Sequence, residues 1–517
     1  MWRVLSGGNF ITTDGVLTFP NDVSEVEGGG YAIERHVFGP YYYNSSVIYA
    51  NTNHNLSLAI QRLLGHREAD RNLDTWLREM QEEYFAHDLR PFLEQRSSSF
   101  ITIFPEDDDQ FDGILDYFDM PHPKKHLRVQ SFIKQWLAGT LSLPVPDKKR
   151  KGEMKLKLHE PAKNNKKPRA IVDLGVDASM RGFVVTQCLK LAEGSSTQVY
   201  ECDGRRILMY FVKSASHENL RRAFSLIINP STDYVMVYFS DDSMLALQRF
   251  GKLEWYNMDI KSCDASHTPS VFAAYAEQYP KKWRGAVLEL IDQCSWPLKV
   301  YDVTDRRNCV VLQPTTPRLY SGSTITTGIN NLAKFAIGIS ILLYAHLGLS
   351  VQACANIAGY LVDLERVDRP CDLQFLKNSP VFCNGVWEPF MNLGVYYRSV
   401  GQLKSPLPGS GEIRGRAEHQ LALFNTCFFG RDVIEGLKAR TLTLTPRDLL
   451  HLNPVFEYKW VADYPRHISL ADYLQRYNLS GCAVAHLTDC MNEQAPFVGY
   501  GSSFVDTVLS RDYGLNQ

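Results

Sequence analysis

Val235-Met-Val-Tyr-Phe239 is a short apolar run rich in β-branched and aromatic residues. It is followed at once by Ser240-Asp241-Asp242-Ser243 and then by a second short run, Met244 to Phe250. Each run has the length and composition of a buried strand. Strand, acidic turn, strand reads as a β-hairpin with carboxylates at its tip. A further strand-like run, Leu253 to Met258, delivers Asp259 at its end. The short Ser243 to Met258 connection favours neighbouring strands in one antiparallel sheet, where Asp241 and Asp259 meet.

Upstream, Ala170 to Asp173 is another short strand-like run. It is preceded by Asp147 to Arg169, where ten Lys/Arg residues face three acids, whereas Glu106 to Asp119 is an acidic run. Such a separation suits the lining of a phosphate-binding channel, although solvated linker charge is the alternative, above all for Lys148 to Lys151. The residues before it mix Tyr-rich strand-like segments with charged helical ones such as Asn72 to Phe85, with Pro91 and Pro105 as breakers. Downstream, Ser321-Gly322-Ser323 reads as a flexible loop, and Asn330 to Leu347 as a helix that Gly348 ends. Its apolar stretch Phe335 to Ala345 is too short for a hydrocarbon core of roughly 30 Å and reads as a buried helix, so no transmembrane segment is expected.

The chain has 517 residues and a net charge of −2, so several subdomains around a shared cleft are expected and global charge gives no hint of nucleic acid. Its 11 cysteines form no repeating framework, and the N-terminus has no secretory pattern; both fit a reducing compartment. Cys482, His486 and Cys490 would share one face of a helix, either as three zinc ligands or as a stripe of buried small residues. No phosphate loop of the Gly-x-x-x-x-Gly-Lys-Ser/Thr type is present, which argues against a fused helicase.

Nucleotidyl transfer needs two divalent cations roughly 3.5–4 Å apart, held by converging carboxylates. The combination of motifs here resembles viral RNA-dependent RNA polymerases. Asp259-Ile-Lys-Ser-Cys-Asp264 resembles motif A, Ser240-Asp241-Asp242 motif C, and Ser321-Gly322-Ser-Thr-Ile-Thr326-Thr-Gly-Ile-Asn330 motif B. Lys167-Pro168-Arg169-Ala170-Ile171 resembles the end of motif F, and Phe375-Leu376-Lys377 motif E. The resemblance spans Lys155 to Lys377. The order F, C, A, B, E resembles the permuted polymerases of permutotetraviruses and birnaviruses, and the Ser-Asp-Asp turn leans toward the former. A site is defined by where groups meet in space, so permutation does not argue against activity.

The resemblance implies the following roles. Asp259 and Asp241 hold two Mg²⁺ or Mn²⁺ ions, with Asp242 as auxiliary ligand and the Ile260 carbonyl as a further contact. Asp264 and Asn330, helped by Ser321, Gly322 and Thr326, bind the ribose of the incoming NTP. Asp264 stands where a reverse transcriptase would carry a bulky aromatic, which weighs for NTP over dNTP. Lys167 and Arg169, with Lys157 and Lys155 as further members, neutralise the triphosphate, and Lys377 supports the primer strand. One departure is the absence of lysine between Lys334 and Lys377, where the family carries a motif D proton donor; of Arg366, Arg369 and His346 the arginines are poor proton donors, which leaves His346 or water.

The fold expected is α+β, a right-hand polymerase of fingers, palm and thumb, with an antiparallel palm sheet and permuted connectivity. The expected division is 1–150 as an N-terminal region extending the fingers, 151–232 as fingers with motif F, and 233–264 as palm with motifs C and A. It continues with 265–318 as a fingers insertion, 319–382 as palm with motifs B, D and E, and 383–517 as thumb. The function implied is copying of a viral RNA genome from NTPs, with RNA template, nascent RNA and viral replication proteins as partners, in host cytoplasm or within the virion. The alternatives are a non-catalytic RNA-binding replication protein with a polymerase-like fold and a template-independent terminal nucleotidyltransferase.

Overall fold

A computed structural model of the chain describes residues 47–64, 151–162, 166–175, 197–279, 281–399, 474–482 and 503–514. It also describes the short pieces and single positions 2–6, 11–13, 16–18, 30–33, 41–42, 92, 178, 179, 182, 186, 499 and 500. The helical reading of Asn72 to Phe85 and the acidic run Glu106 to Asp119 lie outside the described residues.

The central element is a six-stranded sheet. In chain order its parts are β1 (Thr197–Cys202), β2 (Arg205–Phe211), α1 (His217–Ile228), β3 (Tyr234–Phe239), β4 (Asp242–Arg249), β5 (Lys252–Ile260), α2 (Thr326–Tyr344) and β6 (Val362–Val367). The strands lie in the order β6-β5-β4-β3-β2-β1. The sheet is not wholly antiparallel: β2 and β3 run parallel, joined by α1 as a crossover. It also begins upstream of residue 233, because β1 and β2 continue the layer that carries the acidic hairpin.

The β3 side chains alternate between two cores. Tyr234, Met236 and Tyr238 face α2, and Val235 and Val237 face α1, which explains a strand that is apolar throughout. Helix α1 starts where the Ser216 hydroxyl accepts from the Asn219 N–H, and it buries Leu220, Ala223, Phe224, Ile227 and Ile228 at helical spacing. Helix α2 begins one turn before Asn330 and runs into a 3₁₀ turn, Ala345–Leu347, that Gly348 ends at φ 89°. Thr326–Leu347 is long and apolar enough to cross a membrane, yet 83% of its most apolar window is buried inside the protein. Gly338 brings α2 close to the sheet: a Cβ there would meet the Met209 Cε at 2.6 Å.

A second, five-stranded sheet joins distant parts of the sequence in the order Trp2–Ser6, Cys309–Pro314, Leu298–Tyr301, Gly152–Leu156, Ala170–Asp173. The helix Asn53–Leu64 packs on it through Leu56, Ala59, Ile60, Leu63 and Leu64. Part of the basic stretch is therefore strand rather than linker: Met154 and Leu156 point into this core while Lys155 points out. The five-stranded sheet is tied to the loop that leads into α2, where the Val172 N–H donates to the Ser321 carbonyl at 2.9 Å.

Candidate active site

The hairpin turn is two residues long, because Phe239 pairs with Asp242 across it. Ser240 takes φ 55°, a conformation costly for a residue with a Cβ. Helix α2 holds it there. The Ser240 N–H donates to Asn331 Oδ1 at 2.6 Å, and the Asn330 amide donates to Ser240 Oγ at 3.2 Å. Register then lines up the acids. Asp242 lies opposite Asp259, and Asp259 opposite Asp363, so three carboxylates on adjacent strands form one row on one face, with Asp241 at the hairpin tip beside them. The β4–β5 turn, Phe250–Gly251, is at the far end of the strands; both of its residues have positive φ and Phe250 is 72% exposed.

Asp241, Asp242, Asp259, Ile260 and Asp264 line one cavity of about 860 Å³. Across it stand Lys157, Lys166, Lys167 and Arg169 from the second sheet and the residues leading into it, with Arg62 from the helix Asn53–Leu64. The Arg62 guanidinium donates to the Lys167 carbonyl at 2.6 Å, the Lys167 ammonium to Gln61 at 3.0 Å, and Arg169 pairs with Glu160 at 2.9 Å. Ser321, Lys377 and Arg398 complete the wall. The Lys377 ammonium donates to the Asp512 carbonyl at 3.1 Å and sits 4.2 Å over the Tyr513 ring.

The acids repel one another. Burial, then the neighbouring carboxylates of Asp259 and Asp241, push Asp242 up to about 7, against the Leu376 N–H that donates to it at 2.7 Å and the charge of Lys334. Asp259, which opens onto the cavity, is raised to about 6 by burial and by Asp241, and Asp264 to about 6 by burial and Asp241, against the Asn330 hydrogen bond and Arg169. A divalent cation among these groups would relieve both causes, which is how the donor set fits one. Among the described residues no three His, Cys, Asp or Glu side chains are gathered closely enough to chelate an ion as they lie. That is compatible with Mg²⁺, which commonly takes one or two carboxylates and leaves its other positions to water and substrate phosphates.

Three expected ribose contacts stand behind the wall rather than in it. Gly322 holds φ 105°, and a Cβ there would lie 2.8 Å from the Val172 carbonyl oxygen. The Thr326 hydroxyl is directed to the Tyr320 and Ser323 carbonyls at 3.2 and 2.8 Å, and Asn330 is 2% exposed, bonded to Asp264 and Ser240. Arg366 pairs with Glu254 and Arg369 with Asp372, His346 lies beyond the far end of α2, and none of the three lines the cavity. Cys482 is exposed, and its proposed co-ligands His486 and Cys490 lie outside the described residues.

Sequence reasoning missed Arg62, Lys166, Asp363, Asn331, His267 and Lys334. Lys334 is fully buried beneath the acids, its ammonium donating to Ser243 Oγ at 2.8 Å and the Met258 carbonyl at 3.2 Å. A lone lysine in the apolar run Leu332 to Ile337 was the available signal, since lysine is almost never fully buried unless paired. Arg62 and Asp363 offered none, because their places depend on pairings across more than 100 residues.

No family model matches the chain, and no curated protein matches its sequence. Among solved structures it is similar to the RNA polymerase VP1 from Infectious Pancreatic Necrosis Virus, with a TM-score of 0.40 and 12% identity, covering 63% of this chain and 50% of that one. It is also similar to a chain of the birnavirus VP1-VP3 complex, with a TM-score of 0.40 and 12% identity over 62% of this chain and 48% of that one. The chain thus spans about half the length of the two birnavirus structures it resembles.

Proposed function

We propose that the protein is an RNA-dependent RNA polymerase that adds NTPs to an RNA 3′-hydroxyl on an RNA template. The observation that carries this is the convergence of three separately wired sequence motifs on one cavity: the hairpin tip with Asp241 and Asp242, the strand end with Asp259 and Asp264, and the basic wall with Lys167 and Arg169. In this reading the sheet β1–β6 with α1 and α2 is the palm, the five-stranded sheet belongs to the fingers, and the chain after residue 383 supplies the thumb.

Asp259 and Asp241 would hold two Mg²⁺ or Mn²⁺ ions, with Asp242 in support. When bound, such a pair activates the 3′-hydroxyl and offsets charge on the phosphates. Arg62, Lys157, Lys166, Lys167 and Arg169 bind the triphosphate and stabilise the negative charge that grows on pyrophosphate as it leaves. Asp264 accepts a hydrogen bond from a ribose hydroxyl. The new bond joins the primer 3′-oxygen to the α-phosphorus, the bond from that phosphorus to the bridging oxygen breaks, and the hydroxyl proton passes to solvent. Lys377 and Arg398, which line the same cavity, would support the product strand backbone.

Primer extension on a heteropolymeric RNA template with labelled NTPs and Mg²⁺ or Mn²⁺ tests this. Template-complementary product is expected, and Asp241→Asn and Asp259→Asn should each lower its rate at least about 10³-fold with RNA retention kept. Untemplated tails would show a terminal transferase, and RNA binding without incorporation would show a non-catalytic replication protein; either overturns the proposal.

A further inference from the structure

We infer that His267 is a positioning residue that fixes the Asn330 amide, and through it Asp264, so that the site prefers ribonucleotides; this rests on the polymerase function proposed above. Asn330 and His267 are 2% and 4% exposed, and Asp264 is the member of the chain that faces the cavity. The Asn330 Oδ1 sits against two groups: His267 Nε2 at 2.9 Å and the Cys263 thiol at 3.2 Å. Its Nδ2 donates to Ser240 Oγ at 3.2 Å and the side chain bonds to Asp264. Turning the amide over would set its N–H groups against the histidine and the thiol and its oxygen against a carboxylate. The groups behind it therefore decide which end reaches forward.

The tautomer follows from the partners. An amide oxygen only accepts, so His267 Nε2 carries a proton and donates it. With the proton on Nε2, Nδ1 is left to accept from the Tyr360 hydroxyl at 3.0 Å. T-shaped contacts to Tyr360, with ring centroids at 5.7 Å, and to Phe272, at 6.3 Å, pack the ring in this orientation. Burial keeps the Cys263 thiol protonated, so it remains a donor. The result is a directed chain from Tyr360 through His267 and Asn330 to Asp264, which leaves the Asp264 carboxylate held on its inner side and available on its outer side to a ribose hydroxyl. A deoxynucleotide lacks that hydroxyl and leaves the buried acceptor unmatched.

The test uses the full chain and four variants: His267→Phe, which keeps the ring and loses the donor; His267→Gln, which restores a donor; Tyr360→Phe; and Asp264→Ala as reference. Two quantities are read for ATP against dATP with Mn²⁺ present: incorporation opposite templated U, and the ratio of dissociation constants. His267→Phe should lower the ribose preference about tenfold with the deoxynucleotide rate little changed, His267→Gln should recover most of it, and Tyr360→Phe should lower it by about threefold. Unaltered preference in a His267→Phe protein that melts like the parent, or equal loss in the Phe and Gln variants, would overturn the inference. Should His267→Phe fail to fold, Tyr360→Phe decides, and an unaltered preference there overturns it. Absence of templated synthesis by the parent protein defeats the polymerase proposal, and an ATP/dATP binding ratio insensitive to His267 then defeats this one separately.

Discussion

Replacing Lys334 by methionine should destabilise the protein in a way that depends on pH. Methionine fills the stem's volume, so the change removes charge and hydrogen bonds and little packing. Lost are the donations to Ser243 Oγ at 2.8 Å and to the Met258 carbonyl at 3.2 Å, and the attraction to Asp259, Asp242 and Asp241. Part of this is returned, since an ammonium no longer has to be desolvated. Removing one partner of a buried ionic group costs about 3–5 kcal/mol, and because the acids open onto a wet cavity the lower end applies, about 3 kcal/mol. Asp242 titrates near 7 in the fold against an ordinary value of 3.8. Between those pH values the folded protein holds a proton that the unfolded chain releases, so stability falls as pH rises through the window. At pH 5 the Asp242 carboxyl is neutral and Lys334 has less to offset, and the variant should lose only about 1 kcal/mol, the share of its hydrogen bonds. At pH 8 the full loss of about 3 kcal/mol corresponds to a melting temperature lower by about 3 °C for a chain of 517 residues. Thermal unfolding of both proteins in EDTA at pH 5 and pH 8 measures it. Equal losses at the two pH values, or a larger loss at pH 5, would refute the role of Lys334 as counter-charge to the acids.

On the polymerase reading proposed above, Arg62→Ala should raise KM for NTPs about tenfold in primer extension while RNA retention changes little, because the guanidinium both faces the cavity and ties down the Lys167 carbonyl; an unchanged KM would remove the helix Asn53–Leu64 from the proposed triphosphate wall. Gly322→Ala should cost about 2–3 kcal/mol in thermal unfolding or displace the motif B loop, since an L side chain at φ 105° is strained and its Cβ would press on the Val172 carbonyl oxygen at 2.8 Å; parental stability and turnover together would show that the loop yields freely.

What could be read from the chain was whatever depends on neighbours in sequence. The acidic hairpin, the strand that delivers Asp259 and the helix after the Ser321 loop are local patterns of period 2 or 3.6, and each is present where expected, with helix α2 starting a turn earlier. The parallel β2–β3 pair was hidden because its signal is a crossover, not a periodicity. Trp2–Ser6 pairs with Cys309–Pro314 across roughly the first three fifths of the chain, and nothing in either segment names the other. At the site, the motif carboxylates could be picked out because turn chemistry and strand ends place them. Asp363 could not, since its position opposite Asp259 is fixed by the register of β6, and Asn331 could not, since a second asparagine on a helix has no visible target until the Ser240 N–H is in place.

The Phe250–Gly251 turn lies about 25 Å from Asp242 at the usual rise along a strand. On the polymerase reading proposed above, the direct link from the hairpin strand β4 to the strand that carries Asp259 runs through this exposed bend, at the opposite end of the strands from the acids. Opening the backbone there and rejoining it elsewhere would tax only loop closure, about 0.6 kcal/mol for each doubling of linker length. A different route for the backbone at that bend would leave the acidic cluster itself in place, because side chains of helix α2, not the path of the backbone, grip the hairpin tip.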